Sequence, residues 1–310
     1  MNDPATAEAL DPAHAFTGAA GGDVLCWDIY SQVAQALRND PDRLIGAPKV
    51  ARVVAAGESQ SAFRLSRYFN SIQPLHGLYD GFLLYDRGGP QPMRRDVAAK
   101  LISMGSEFFA EYGGSPPEDT ENQRWWELAG ASHVSVAEMQ AYVDPQVLRD
   151  GTQRIDGRPV SLTELLEHGQ PGARGPLWSH VPNGDLMKAA LLALTAWVAV
   201  GTAPPTAPRL QLDEQGRLVR DAGGRTLGGI RYAAYDAPMA TNVGAVDVGP
   251  RLAGYHLDFT RDEMTRRYGS LAAYVALVTA SVQRNLAQGF LLPAEAARVI
   301  AEAGTVGFNR

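Results

Sequence analysis

Three features of the 310-residue sequence predict an α/β fold with a mostly parallel sheet covered by helices. Short apolar segments recur along the chain, stretches with helical spacing separate them, and each segment ends at Gly, Asp or Ser. Segments that are apolar throughout suit strands buried on both faces. Alternation of such strands with helices suits parallel pairing, and it puts ligand sites beyond the carboxyl ends of the strands.

Taken in order, residues 1–22 are rich in Ala, Gly, Asp and Pro without a period, and read as a loose lead-in. Trp27, Tyr30, Val33 and Leu37 then fall on one face of a helix over 24–37. Residues 50–56 predict a central strand, and Ala62, Leu65, Phe69 and Ile72 predict a helix that starts directly after Ser59. Further buried strands are expected at 81–85, 100–104 and 125–129. Trp125 and Trp126 are adjacent on the last of them and point to opposite faces, so at least one is core.

The polar stretch 145–183 reads as a cap insertion within a domain spanning 23–203. The apolar run 189–200 falls short of the ~20 residues that a membrane span needs, and is expected as a buried helix. After the linker GTAPPTAP, residues 204–310 are expected to add a hairpin at 210–218 and helices that pack on the same domain. One helix follows the capping box Thr260-x-x-Glu263, a second runs over 271–288, and a third lies between Pro293 and Gly304. No internal repeat is evident.

Composition excludes several functions. A net charge of −6 with no long Lys or Arg run removes the basis for binding nucleic acid or an anionic membrane surface. The single cysteine, Cys26, permits neither an intrachain disulfide nor a Cys-rich zinc cage. The start of the chain lacks a basic segment followed by an apolar one, so a cytoplasmic location is expected. Neither phosphate-cradling Gly motif occurs, nor does a paired-His metal motif, so no cofactor and no metal are expected.

The segment Gly57-Glu58-Ser59-Gln60-Ser61 carries the candidate chemistry. A Ser on a sharp strand-to-helix turn is held with its hydroxyl above the sheet if its neighbours are small, as Gly57 and Ser61 are. The N–H of Gln60 would then face an oxyanion from a helix N-terminus. Such a nucleophile needs a base and an orienting acid just past later strands. His133 follows the strand 125–129 through Gly130-Ala131-Ser132, and Glu107 follows the strand 100–104 through Gly105-Ser106. Asp119 and Glu121 are alternative acids, and Asp86 is a weaker one. His14, His76, His168, His180 and His256 are less well placed as the base.

The segments CWDIYSQ (26–32), GESQSAFRLSRYFN (57–70), YDGFLLYDRGG (79–89), RWWELAGASH (124–133), GGIRY (228–232) and GFLLP (289–293) together resemble the bacterial alpha/beta hydrolase domain-containing proteins. The resemblance runs over roughly residues 24–304. It implies an α/β-hydrolase fold and a Ser-acid-His site, carried onto Ser59, Glu107 and His133. The family's amino-terminal strands find no counterpart here, which leaves one sheet edge open and room for a second copy to cover it.

A serine hydrolase acting on a small-molecule carboxylic ester is therefore the expected function, with Ser59 as nucleophile, His133 as base, Glu107 as orienting acid and Gln60 as oxyanion donor. The rival expectation is a non-catalytic binding module that uses the open edge.

Overall fold

The computed structural model describes residues 25–88, 92–113, 116–169, 176–246 and 252–306. The lead-in 1–22 and His14 lie outside the described residues.

Helix α1 (Cys26–Asn39) buries Ser31 and Ala34 and turns Trp27, Tyr30 and Leu37 toward the core. Val33, expected on that face, is instead 51% exposed, because the neighbouring Ala34 takes the inward position. After a short α2 (Pro41–Ile45), strand β1 (Val54–Glu58) begins four residues later than expected. Asp80 fixes that start: its carboxylate accepts from Val53 N at 2.8 Å, and its own N–H donates to Val53 O at 2.8 Å. Helix α3 (Gln60–Arg67) follows at once and runs on through a π turn (Tyr68–Ile72) into α4 (Gln73–His76).

Strands β2 (Gly81–Tyr85) and β3 (Lys100–Gly105), helix α5 (Glu107–Gly113) and strand β4 (Gln123–Glu127) complete a four-stranded parallel sheet in the order β1-β2-β3-β4. Strand β4 starts two residues earlier than expected because its ladder runs from Leu101↔Gln123 to Gly105↔Glu127. Trp125 and Trp126 are both core, one in each of the two clusters that sandwich the sheet.

The segment beyond β4 holds α6 (Val136–Glu138), a π turn (Met139–Val143), α7 (Asp144–Asp150), the small hairpin β5 (Arg154–Ile155) and β6 (Arg158–Pro159), and α8 (Leu162–His168). Helix α9 (Asn183–Val200) is long and apolar enough to cross a membrane by length and composition alone. It instead buries Leu186, Ala189, Ala190, Leu194 and Trp197 against β2 and β3. The expected buried helix is therefore there, begun earlier, at Asn183.

Where a hairpin was expected at 210–218, the chain makes a two-turn ladder with isolated bridges Leu210↔Gly228, Leu212↔Leu218 and Arg220↔Thr226. Both turns read Asp-x-x-Gly-Arg, eight residues apart. In each the Asp carboxylate accepts from the N–H two residues on and from the Arg four residues on. This short repeat runs against the absence of repeats expected above. Helix α10 (Ala233–Asp236), the hairpin β7 (Ala240–Val243) and β8 (Tyr255–Asp258), α11 (Arg261–Tyr268), α12 (Leu271–Gln288) and α13 (Pro293–Gly304) follow. The Thr260–Glu263 capping box opens α11, Gly289 (φ 79°) ends α12, and Phe290 packs edge-on against Trp126.

Candidate active site

The carboxyl ends of β1 to β4 converge on one rim of the sheet, and each strand delivers one part of the site there. At the end of β1, Ser59 sits at φ 55°, ψ −122°, a conformation costly for any residue with a Cβ. The turn is held from both sides: Ser59 N donates to Tyr85 O at 2.9 Å, and Ser59 O accepts the first helical bond, from Phe63 N, at 2.9 Å. Gly57 allows the tightness, since a Cβ there would lie 2.8 Å from Leu65 Cδ1 and 3.0 Å from the backbone of Ser61 and Ala62. Gln60 is the first residue of α3, so its N–H is one of the donors that a helix start leaves without an intrahelical partner.

At the end of the neighbouring strand lies Asp86, one rung beyond the pair Glu58↔Tyr85. Its backbone is also left-handed, with φ 48°, and its side chain is fully buried. Asp86 Oδ2 meets His133 Nδ1 at 2.9 Å. Ser106, directly after β3, donates to the same carboxylate through its N–H (2.6 Å) and its hydroxyl (2.7 Å). Burial raises the Asp86 pKa, and the hydrogen bonds from His133 and Ser106 pull it back.

The imidazole of His133 is buried between Phe109 (ring centroids 5.0 Å apart) and Tyr85 (6.3 Å, near-parallel). Tyr85 Oη donates to Ser132 O at 3.1 Å and accepts from Asn183 Nδ2 at 2.9 Å, which fixes the residue next to the histidine. With Nδ1 committed to Asp86, Nε2 is the nitrogen left for a reacting partner. Burial disfavours the imidazolium, but the hydrogen bond to Asp86 and the charges of Asp86, Glu58 and Glu138 outweigh it and raise the His133 pKa. Glu58 is itself pushed up to about 7, by burial first and then by repulsion from Glu138 and Asp86, against attraction to His133.

Glu107, expected as the orienting acid, is not the carboxylate that His133 Nδ1 meets; that one is Asp86. Although fully buried, its carboxylate is saturated by other donors: Gly130 N at 2.7 Å and Tyr235 Oη at 3.2 Å on Oε1, Gly244 N at 3.0 Å and Arg220 Nη2 at 3.1 Å on Oε2. Glu107 opens α5, and these four donors, not the imidazole, hold its carboxylate. Asp119 is taken up by Trp125 N (3.1 Å) and Arg209 (2.6 Å), and Glu121 is exposed. Among the other histidines, His76 and His168 are exposed helix ends, while His180 and His256 stack on each other at 3.5 Å.

A cavity of about 690 Å³ begins at Ser135 and Glu138, shortly past His133, and reaches Tyr142, His180, Met239 and Tyr274. A smaller one of about 320 Å³ is lined by Asp86, Phe109 and Glu127. Among the described residues, no group of three or more His, Cys, Asp or Glu is arranged to hold a metal ion.

A parallel sheet whose first strand turns into a helix at a strained serine, with a carboxylate and a histidine on the same rim, defines the α/β-hydrolase fold. The model of the alpha/beta hydrolase domain family matches residues 5–301, and the chain belongs to that family. No match was found among the curated proteins or among the solved structures.

Proposed function

We propose that the protein is a serine hydrolase of carboxylic esters, with Ser59 as nucleophile, His133 as base and Asp86 as the orienting acid. The observation that carries the reading is the Asp86–His133 hydrogen bond of 2.9 Å on the rim where Ser59 occupies its strained turn. Ser59 Oγ adds to the ester carbonyl and its proton passes to His133 Nε2, while Asp86 stays ionised and steadies the imidazolium through Nδ1–H. The Gln60 N–H faces the oxyanion. Collapse expels the alcohol, which takes the proton from His133, and a water activated by the same imidazole then releases the acid and restores Ser59.

The expected acid, Glu107, has no part in this scheme. One observation favours a second reading, a binding module: β1 is the outer strand of the described sheet and Ala56 on it is exposed. One experiment separates the two. A fluorophosphonate probe is expected to label the folded wild-type protein on Ser59, with labelling abolished in Ser59→Ala and His133→Ala. A folded protein that takes no label speaks for the binding module.

A further inference from the structure

Two consecutive residues at the end of β3 reach opposite halves of the site. Ser106 grips the acid, since its N–H and hydroxyl both donate to Asp86 (2.6 and 2.7 Å). Glu107 grips the segment that carries the base. Its N–H donates to Ala131 O at 3.1 Å, and its carboxylate accepts from Gly130 N at 2.7 Å. Both side chains are fully buried. The separation between Asp86 and His133 is thus referenced to a single peptide unit, the one joining 106 to 107.

The far side of the Glu107 carboxylate is braced as well. Arg220, from the two-turn ladder, and Gly244, just past β7, both bond Oε2, and Tyr235 bonds Oε1. Close approach tightens the brace. A Cβ on Gly244 would lie 1.9 Å from Ala131 O, and one on Gly130 (φ 79°) would lie 2.4 Å from the Tyr235 ring. Gly105, before the pair, takes Leu128 N at 3.0 Å, so Gly105 and Glu107 both tie the strand end to the histidine segment while Ser106 between them holds Asp86.

We propose that Ser106 and Glu107 are a positioning pair that sets the Asp86–His133 contact and, through it, the basicity of His133. The proposal rests on the assignment of His133 as the base in the reading above. Neither residue touches a reacting atom; each acts through another. A carboxylate that merely filled a buried hole would need donors, but not donors drawn from the backbone beside the base while its neighbour holds the acid.

The test uses the full-length chain with two variants, Glu107→Gln and Ser106→Ala, each of which loosens one side of the pair. Two quantities are read. One is the pKa of His133, titrated by NMR from its ring protons, which does not require Ser59 to react. The other is the pH dependence of fluorophosphonate labelling at Ser59. Displacement of a reacting pair by about 1 Å costs on the order of 10²-fold, so labelling is expected to fall by about 10- to 100-fold in Glu107→Gln and by less in Ser106→Ala. In Glu107→Gln the His133 pKa should move down, because the imidazolium loses part of its hold on Asp86. In Ser106→Ala it should move up, because Asp86 Oδ2 loses a competing donor. In each the rising limb of the labelling profile should follow it.

A His133 pKa and labelling profile unchanged in both variants, whatever the loss of melting temperature, would overturn the proposal and leave the pair a plain structural brace. Should Glu107→Gln fail to fold, Ser106→Ala decides alone by the same two readings. Wild-type protein that titrates normally but takes no label would sink the hydrolase reading. The NMR titration would still decide whether the pair controls His133.

Discussion

The turns after β2 and after β3 each bury one carboxylate completely, and they use it in opposite ways. Glu107 is ringed by four donors from four parts of the chain, two of them backbone N–H groups, and no imidazole is among them. Asp86 takes two bonds from one serine and spends its remaining capacity on an imidazole. A buried carboxylate saturated by fixed donors holds parts together. One that shares a proton-bearing ring can tune that ring's basicity, and the environment rather than the residue type separates the two.

The comparison can be broken most sharply at Asp86. Asp86→Asn should lower the labelling rate, and any ester turnover, by about 10⁴-fold, because an amide favours the wrong imidazole tautomer. Its melting temperature should stay close to that of the wild type. Glu107→Ala should weigh chiefly on stability, with a loss of about 3–5 kcal/mol that strands Arg220 and two buried N–H groups, and its loss of labelling should stay well below that of Asp86→Asn. Denaturant unfolding of the two variants side by side checks the contrast.

Gly57→Ala comes next. The added Cβ meets Leu65 and the backbone of α3, so an overpacking cost of about 1–3 kcal/mol is expected together with slower labelling. Differential scanning of the variant and a labelling time course would show both effects. A smaller effect is expected at Glu58. Its charge is one of those that raise the His133 pKa, so Glu58→Gln should lower that pKa. Because the base must be neutral, the rising limb of the pH–rate profile should then move to lower pH. Ser61→Gly is the smallest change. Ser61 is exposed at the start of α3, and its replacement should alter stability by no more than about 0.5 kcal/mol.

Much of this was legible in the sequence. The strand-turn-helix at 54–67 shows in an apolar run, a small residue at 57 and helical spacing thereafter, and these local signals survive folding because the same steric rules enforce them. His133 could be placed because it follows β4 through a short loop. Which carboxylate meets His133 could not be read, since Asp86 and Glu107 both stand one or two residues past a buried strand and differ only in what the rest of the fold brings to them. Gly130, Gly244 and Arg220, up to 137 residues away from Glu107, are the groups that claim it. Sequence spacing carries no trace of that competition. The Asp-x-x-Gly-Arg turns were visible as a pattern eight residues apart, but a hairpin reading accounted for the first and passed over the second.

The most direct test of the account is an NMR measurement of the His133 Nδ1 proton in ¹⁵N-histidine-labelled protein. A hydrogen bond to a buried carboxylate should give a downfield, slowly exchanging resonance that persists in Ser59→Ala and vanishes in Asp86→Asn. Persistence of that resonance in Asp86→Asn would contradict the assignment of Asp86 as the partner of the base.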